Sequence, residues 1–391
     1  MTKLVHEVLA ALEACLPMGN GGVALHEPDL SGKELEYVSE CISTGWVSSA
    51  GEFVNRFEKE LAEFTGAARA VAVVNGTAAL HLCLKIIGVE KDDEVIVPTL
   101  TFVATANAVS YCGAVPHFAD CDERTLGLDP QKLLAYLEGQ AEVRGGSCFN
   151  KQTGRRIKAV VPVHIFGHPV DLDPLQDVCS RFCLELVEDA AESLGSYYKG
   201  RHTGTLGRVS ALSFNGNKIA TTGGGGALLT NDERLADLAK HISTTARVPH
   251  RWEIKHDTLG FNYRMPNINA ALGCAQLERL PGFLRNKRAL AERYAGAFSR
   301  VRGITFFQEP GFARSNYWLN ALVLDNENAS ARDVLLERTN GRGIMTRPAW
   351  TMLHRLPMYK GCPRMDLAVA EGLEQRIVNI PSSSFLVDRK G

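Results

Sequence analysis

The chain has 391 residues, of which 43 are Lys or Arg and 44 are Asp or Glu, so its formal net charge is −1 with neutral histidines. This balance provides no basic field to hold nucleic acid or an anionic membrane surface. Hydrophobic residues make up 45% of the chain and charged residues 22%, which is ordinary for a globular protein and excludes a disordered tail. At about 100–200 residues per domain, we expect two or three compact units.

The N-terminal stretch MTKLVHEVLAALEACLPMGN has apolar residues at helical spacing, with Glu7 and Glu13 among them. These carboxylates break the uncharged segment that a signal peptide requires, and the apolar runs of the chain are much shorter than the ~20 residues of a membrane-spanning helix. The ten cysteines include no C-x-x-C pair, and the spacing of Cys179 and Cys183 fits neither a zinc ribbon nor a redox motif. We therefore expect an N-terminal amphipathic helix in a cytoplasmic protein with reduced thiols, no metal site and no membrane contact.

Short apolar runs rich in β-branched residues alternate with helix-compatible stretches through the first two thirds of the chain. Strands that are apolar throughout and separated by helices are typical of a mostly parallel sheet covered on both faces. Between residues 78 and 88 the apolar side chains recur at helical spacing and end at Gly88, a suitable C-cap. The pattern predicts an α/β domain with seven strands, at Ala70–Val74, Glu94–Val97, Val115–Ala119, Ala159–Val163, Glu185–Glu188, Val209–Phe214 and Gly226–Leu229.

After about residue 260 the pattern changes to longer helical stretches. The periodicity predicts one helix over Asn267–Leu280 and another over Leu284–Val301, because Pro281 and Gly282 are expected to break the helix between them. We therefore expect two separate helices here.

Shorter elements follow these helices, predicted as a strand at Tyr317–Leu324, a helix at Ser330–Thr339 and a strand at Val378–Pro381. This mixture is typical of a small α+β domain. We expect three parts, an N-terminal helical segment at residues 1–50, a large α/β domain at 51–260 and a smaller α+β C-terminal domain at 261–391.

In an open α/β sheet, ligands bind just outside the carboxyl ends of the strands, so the residues after those ends are the first candidates. Asn75–Leu80 has small residues, a hydroxyl and free N–H groups where a helix begins, which favours an anion, although many plain strand-to-helix turns look the same. Asp189 follows the strand Glu185–Glu188 and precedes two alanines. It could hold the nitrogen of a flat ring protonated, or simply cap a helix.

Two further places follow later in the chain. Lys218 lies in a polar loop after the strand Val209–Phe214, close to the glycines Gly223–Gly226. A partly buried lysine in such a loop can form a Schiff base, whereas most lysines are solvated surface charges. Tyr263 and Arg264, directly before a predicted helix, are candidates or ordinary boundary residues.

In chain order these positions provide an anion-binding turn, Asp189, and Ser213 followed five residues later by Lys218. They would match the phosphate, the ring nitrogen and the aldehyde of pyridoxal phosphate, all at one edge of the sheet. The combination therefore predicts a pyridoxal-phosphate site.

Six motifs carry a resemblance to a known family: GWVSSAGEFVNRFE (Gly45–Glu58), VNGTAALHLCL, DEVIVPTLTFVATANAV, EDAAESLGS, SFNGNKIATTGGGGAL and GFNYRMPNINAALG. By these motifs the sequence resembles the DegT/StrS-type sugar aminotransferases, which are pyridoxal-phosphate enzymes of the aspartate-aminotransferase (type I) fold. The resemblance runs from about Ala24 to Pro381. The runs TGWVSSAG and TFVATANAVSYCGAVPHFAD are similar to the branch that aminates a 4-keto sugar on the way to legionaminic acid and related surface sugars.

This resemblance implies an aminotransferase that converts a nucleotide-linked 4-keto-6-deoxy sugar, UDP-2-acetamido-4-keto-2,6-dideoxyhexose in that branch, to the 4-amino sugar with L-glutamate as donor. The product would serve bacterial surface glycan synthesis. One alternative is a GDP-linked 4-keto sugar leading to perosamine. A second is a non-catalytic regulator of the same fold, but the chain lacks the fused DNA-binding region of about 60 residues and the basic patch of such proteins. A related dehydratase branch has histidine where this chain has Lys218.

The resemblance also implies roles for individual residues. Lys218 would bind the cofactor aldehyde covalently and move a proton during amino transfer, and Asp189 would pair with the pyridine nitrogen. Phe102 would stack on the ring. The phosphate would be held by Gly76, Thr77 and Ser213.

Four other positions complete the implied site. In the family an Asn at the position of Asn262 reaches the phosphate from the neighbouring subunit, which implies a homodimer with shared active sites. Glu192 would lie near the ring hydroxyl, where the commoner residue is Gln or His, and a carboxylate there would repel a phenolate unless it is protonated or turned away. His164 and Arg347 are expected near the sugar nucleotide, although a capped His and a boundary Arg are the alternative interpretation.

Overall fold

The computed structural model describes residues 2–18 and 22–387. Its α-helices are α1 (Thr2–Cys15), α2 (Glu34–Thr44), α3 (Glu52–Thr65), α4 (Gly76–Ile86), α5 (Ala104–Tyr111), α6 (Pro130–Gln140), α7 (Leu172–Arg181), α8 (Glu233–Ser243), α9 (Asn267–Phe298), α10 (Arg332–Gly341) and α11 (Ala368–Glu374). Short 3-10 turns lie at Ile165–Gly167, Asn326–Ala331, Leu353–Arg355, Pro357–Tyr359 and Ser384–Val387. None of the helices in these described ranges combines the length and the hydropathy needed to cross a membrane.

The strands are β1 (Arg69–Val73), β2 (Glu94–Pro98), β3 (Val115–Ala119), β4 (Ala141–Arg144), β5 (Ser147–Asn150), β6 (Arg156–Val160), β7 (Glu185–Asp189), β8 (Tyr197–Tyr198), β9 (Arg201–His202), β10 (Val209–Ser213), β11 (Gly226–Thr230), β12 (Arg247–Val248), β13 (Lys255–His256), β14 (Ile304–Phe306), β15 (Ala313–Arg314), β16 (Asn320–Leu324), β17 (Arg347–Pro348) and β18 (Ile377–Ile380).

The central sheet has the strand order β1-β11-β10-β7-β6-β2-β3, with the hairpin β4–β5 attached to β6. All neighbours from β10 to β3 are parallel, and β11 is antiparallel to both β1 and β10. The mostly parallel sheet of seven predicted strands is therefore confirmed, and the hairpin raises the total to nine strands. The predicted strand Ala159–Val163 lies earlier, at Arg156–Val160.

Gly226, the first residue of β11, packs closely against the turn that precedes α4. A Cβ atom on Gly226 would lie 2.4 Å from the carbonyl carbon of Asn75. Only glycine lets the start of β11 approach that turn. The same turn begins α4, where the Asn75 side chain accepts a hydrogen bond from the N–H of Ala78 at 2.8 Å.

The second unit has the four-stranded antiparallel sheet β14-β16-β18-β17, as expected for a small α+β domain. The predicted N-terminal amphipathic helix is confirmed as α1, which packs its apolar face into the same core as Leu290 and Tyr294 of α9. The predicted domain boundaries stay a prediction, and residues 1, 19–21 and 388–391 of the outer segments lie outside the described residues.

The prediction of two helices around Pro281 is wrong, because α9 runs unbroken from Asn267 to Phe298 with Pro281 inside it. Proline inside a helix costs about 3 kcal/mol. Burial on both sides of the proline offsets this cost, since Leu280, Phe283 and Leu290 are all buried. Tertiary packing therefore outweighs the local signal.

Candidate active site

A cleft of about 340 Å³ opens at the carboxyl ends of β1, β7 and β10, beside residues from the second unit. Seven of the site residues predicted from the sequence line it: Gly76, Thr77, Phe102, Asp189, Glu192, Ser213 and Lys218. The other lining residues are Asn75, Leu80, Thr101, Ala104, Thr105, Val163, Ala191, Asn215, Asn217, Trp318 and Trp350.

One end of the cleft is the N-terminus of α4. The first helical hydrogen bond runs from Ala79 N to the carbonyl of Asn75 at 3.1 Å, so the N–H groups of Gly76 and Thr77 lie ahead of it. A Cβ atom on Gly76 would lie 2.8 Å from the Cβ of Ser213. Glycine thus keeps a notch open between the helix N-terminus and the Ser213 hydroxyl, which suits a phosphate group.

Asp189, the last residue of β7, lies in the floor of the cleft. Its side chain accepts hydrogen bonds from the Thr105 hydroxyl at 2.7 Å and from the Ala191 N–H at 3.2 Å. Burial raises the pKa of Asp189, while these donors and the charge of Lys218 act in the opposite direction. A carboxylate can accept about four hydrogen bonds, so Asp189 has acceptor capacity left for a cationic ring nitrogen in the cleft.

Lys218 enters the cleft from the loop after β10. Its backbone N–H donates to Asn215 O at 2.9 Å, and its side chain is only 13% exposed. The Nζ atom lies 3.2 Å from Glu192 Oε1 and 3.8 Å from the centroid of the Trp318 ring. The loop is fastened to the second unit because Trp318 Nε1 donates to Asn217 O at 2.7 Å. A carboxylate and an aromatic face therefore hold the amine inside the cleft.

Glu192 is buried, and its two carboxyl oxygens have different neighbours. Oε1 faces Lys218, whereas Oε2 accepts a hydrogen bond from the N–H of Phe166 at 2.8 Å. Burial raises the pKa of Glu192, and the charge of Lys218 opposes that rise. Phe166 has a φ of 56°, a left-handed conformation that is uncommon for a phenylalanine, so Glu192 also fastens a strained turn.

Phe102 and Trp350 are aromatic residues that line the cleft, and the buried Phe166 lies behind Trp350. Phe166 and Trp350 stack with ring centroids 5.2 Å apart, and Phe102 lies 6.4 Å from Trp350. Phe102 is 53% exposed. Sequence reasoning missed Trp318, Trp350 and Thr105. Of these three, only Thr105 could have been found from the sequence, because it lies one helical turn after the predicted site residue Phe102.

His164 and Arg347 are not among the residues that line the cleft. His164 is fully buried, with Nε2 2.9 Å from Glu188 and Nδ1 3.3 Å from the N–H of Val170. Arg347 is exposed and donates to Thr346 O at 3.1 Å. His164 therefore meets a buried carboxylate and Arg347 lies at a strand end, and their predicted contacts with the sugar nucleotide stay a prediction.

Asn262 is also outside the cleft of its own chain. It is exposed and its backbone pairs with Thr244. Its predicted contact, with the cofactor phosphate of a neighbouring subunit, stays a prediction.

These residues fit pyridoxal phosphate on three counts. The open notch beside Gly76 matches the phosphate, the spare acceptor capacity of Asp189 matches a protonated ring nitrogen, and the enclosed amine of Lys218 matches an aldehyde. When bound, the cofactor would supply an electron sink for amino transfer. The residues would bind it, hold a proton on its ring nitrogen and move a proton through the Lys218 amine.

A model of the DegT/DnrJ/EryC1/StrS aminotransferase family matches residues 28–390. The chain is 37% identical over 369 residues to GDP-perosamine synthase of Caulobacter vibrioides, covering 94% of each chain. It is 37% identical to GDP-perosamine synthase of Escherichia coli O157:H7 over 92% of this chain and 93% of that protein. The crystal structure of the aminotransferase TlmJ from Streptoalloteichus hindustanus matches with a TM-score of 0.82 at 31% identity, over 92% of this chain and 93% of that chain. The type I aminotransferase fold is thereby confirmed.

Proposed function

The chain belongs to the DegT/DnrJ/EryC1/StrS family of pyridoxal-phosphate-dependent sugar aminotransferases, and from that premise we propose that it transfers the amino group of L-glutamate to C4 of a nucleotide-linked 4-keto-6-deoxy sugar. The observation that carries the proposal is the meeting of Lys218, Asp189 and Ser213 in one cleft. Lysine at position 218, where the dehydratase branch has histidine, supports amino transfer over dehydration.

The nucleotide is proposed to be guanosine diphosphate. Both curated relatives described above are GDP-perosamine synthases, and each aligns with this chain over almost its whole length. The second candidate is the UDP-linked 2-acetamido sugar of the legionaminic-acid branch. The motifs TGWVSSAG and TFVATANAV favour that second substrate.

A panel of keto sugars tests the substrate. Purified enzyme with L-glutamate is mixed with a GDP-linked 4-keto-6-deoxyhexose, with its UDP-linked 2-acetamido counterpart, and with simple keto acids. The amino product is identified by mass spectrometry. We expect amination of the GDP-linked sugar and none by Lys218→Ala. Faster amination of the UDP-linked sugar would refute the assignment of guanosine diphosphate and favour the second candidate. Faster amination of a keto acid than of every sugar would refute the assignment of a sugar substrate.

We further propose that the active unit is a homodimer in which the partner completes each site. Four features of this region support a face that a partner covers. Trp46 is 60% exposed and Val47 is 42% exposed. They adjoin a groove of about 700 Å³ that Arg264 also lines. The Nε of Arg264 is buried without a hydrogen-bond partner among the residues that the structure describes. Asn262, two residues earlier, is exposed and does not line its own cleft.

Complementation tests the shared site. Lys218→Ala and Asn262→Ala chains are each expected to be nearly inactive. A mixed dimer has one site with both residues intact, so a random mixture should recover roughly a quarter of wild-type activity. Absence of recovery, with mixed dimers shown by native mass spectrometry, would refute the shared site.

The proposed compartment is the cytoplasm. All ten cysteines are free, which is typical of a protein that functions in a reducing compartment. Fractionation of the native host with immunodetection tests this, and recovery in an oxidising compartment would refute it.

A further inference from the structure

Glu192 and Lys218 form an enclosed pair in the cleft. The carboxyl oxygen Oε1 lies 3.2 Å from Nζ, and the two side chains are 5% and 13% exposed. The Trp318 ring covers the amine at 3.8 Å from its centroid. An ion pair with so little water contact loses much of the solvation that stabilises its two charges.

The surroundings of Glu192 favour its neutral form once the lysine charge is lost. The polar groups that act on its carboxyl are Lys218, the carboxylate of Asp189 and the N–H of Phe166, whereas the Asn316 amide donates to its backbone carbonyl. Burial and the negative charge of Asp189 both disfavour a second carboxylate, and Lys218 is the main opposing charge. The Phe166 N–H occupies Oε2, which leaves Oε1 as the oxygen that meets the amine.

We propose that Glu192 is a catalytic proton acceptor for Lys218, which makes the amine neutral for its attack on the cofactor aldehyde. In this step one Nζ–H bond breaks, its electron pair stays on the nitrogen, and an Oε1–H bond forms, so both charges disappear. An ammonium has no electron pair to attack a carbonyl carbon, and a lysine in water is almost wholly ammonium at neutral pH. A partner 3.2 Å away removes the need to release that proton to solvent.

The same proton explains why a carboxyl can replace the usual Gln or His at this position. A carboxylate would repel a ring phenolate, whereas the acid left after the transfer is a hydrogen-bond donor, as those amide and imidazole groups are. Glu192 would therefore act first as a base and then as a neutral donor. The inference concerns cofactor loading and does not depend on which sugar the enzyme aminates.

Infrared difference spectroscopy tests the inference without turnover. Cofactor-free protein is compared with the same protein after addition of pyridoxal phosphate, with no donor or sugar present. We expect loading to produce the C=O band of one protonated carboxyl per chain. The band should shift in protein labelled with ¹³C-glutamate and stay in place with ¹³C-aspartate, which separates Glu192 from Asp189 without any mutation.

Two substitutions sharpen the assignment. Glu192→Gln should abolish the band, since the amide cannot take the proton. Glu58→Gln is the matched control, because Glu58 pairs with Lys240 elsewhere in the protein, and it should leave the band unchanged. Absence of a protonated-glutamate band in the loaded wild-type protein would overturn the inference, as would a band that persists in Glu192→Gln.

Discussion

Lys287 donates a hydrogen bond from Nζ to the carbonyl oxygen of Trp318 at 3.1 Å, so a buried lysine supports the residue whose ring covers Lys218. The same amine donates to Ser382 O at 2.5 Å. Lys287 is fully buried, and both of these partners are backbone carbonyls rather than carboxylates. Burial lowers the pKa of Lys287 to about 7. The lysine thus joins α9 to the cleft wall, and its charge makes this link sensitive to pH.

Lys287→Met should change how the free energy of unfolding depends on pH. In wild-type protein the unfolded chain binds the extra proton between about pH 7 and the ordinary lysine value near 10.5, so Lys287 makes stability rise with pH in that window. Over the whole window the gain is a few kcal/mol. Urea unfolding from pH 7 to 10 should show a flatter dependence in Lys287→Met than in wild type.

Lys240→Met is the control for that measurement, because Lys240 is partly exposed and pairs with Glu58. Its pH dependence should parallel that of the wild type. Parallel curves for Lys287→Met and wild type would contradict the prediction.

His168 should make the free energy of unfolding depend on pH in the acidic range. It is fully buried between Phe307 and Tyr317, and neither ring nitrogen has a hydrogen-bond partner among the described residues. Burial lowers its pKa to about 3. The unfolded chain therefore binds the extra proton between about pH 6.5 and 3, and the contribution of the neutral ring is lost as pH falls through that window.

His168→Leu should unfold at a lower pH than wild type, because leucine has no proton to gain. Acid unfolding followed by circular dichroism measures the midpoint. His6→Leu, at an exposed position of α1, should leave the midpoint unchanged. An unchanged midpoint in His168→Leu would mean that other groups control acid unfolding.

Much of the central sheet could be predicted from local signals. Runs such as that of β2 are buried on both faces, so their apolar composition and their strand identity coincide. The prediction of a helix break at Pro281 was wrong because burial of Phe283 and Leu290 stabilises the continuous helix. The sequence around the proline does not show that these side chains are buried. Local patterns predict elements well where burial and propensity agree.

The cleft could be predicted only where its residues follow strand ends. Asp189 and Ser213 end β7 and β10, so the sheet itself brings them together. Trp318 comes from the second unit, a hundred residues after Lys218, and nothing near it in the sequence indicates that its ring meets that amine. His164 also follows a strand, but its ring meets the buried carboxylate of Glu188 and it does not line the cleft.

Asp189→Asn should weaken cofactor binding and slow amino transfer. The amide keeps the shape of the carboxyl, but it has no charge to hold a proton on the ring nitrogen. Loss of one charged hydrogen bond costs about 1.5–3 kcal/mol, so we expect cofactor affinity to fall roughly ten- to hundredfold. Equilibrium dialysis measures this affinity and steady-state assays measure kcat. Unchanged kcat at saturating cofactor would show that the charge is not needed for the reaction.

Gly76→Ala should reduce retention of the cofactor by closing the notch at the N-terminus of α4. The new methyl group would lie 2.8 Å from the Cβ of Ser213 and 3.1 Å from its Oγ, so either the serine or the helix must move. Both are expected to bind the phosphate, and displacing one charge-assisted hydrogen bond there costs about 1.5–3 kcal/mol, or roughly ten- to hundredfold in affinity. Gly216→Ala is the matched control, since its Cβ would meet no atom closer than 4.0 Å. Equilibrium dialysis with pyridoxal phosphate and with phosphate-free pyridoxal separates the effects: weaker binding of the phosphorylated form alone is expected, and equal losses for both would place the phosphate elsewhere.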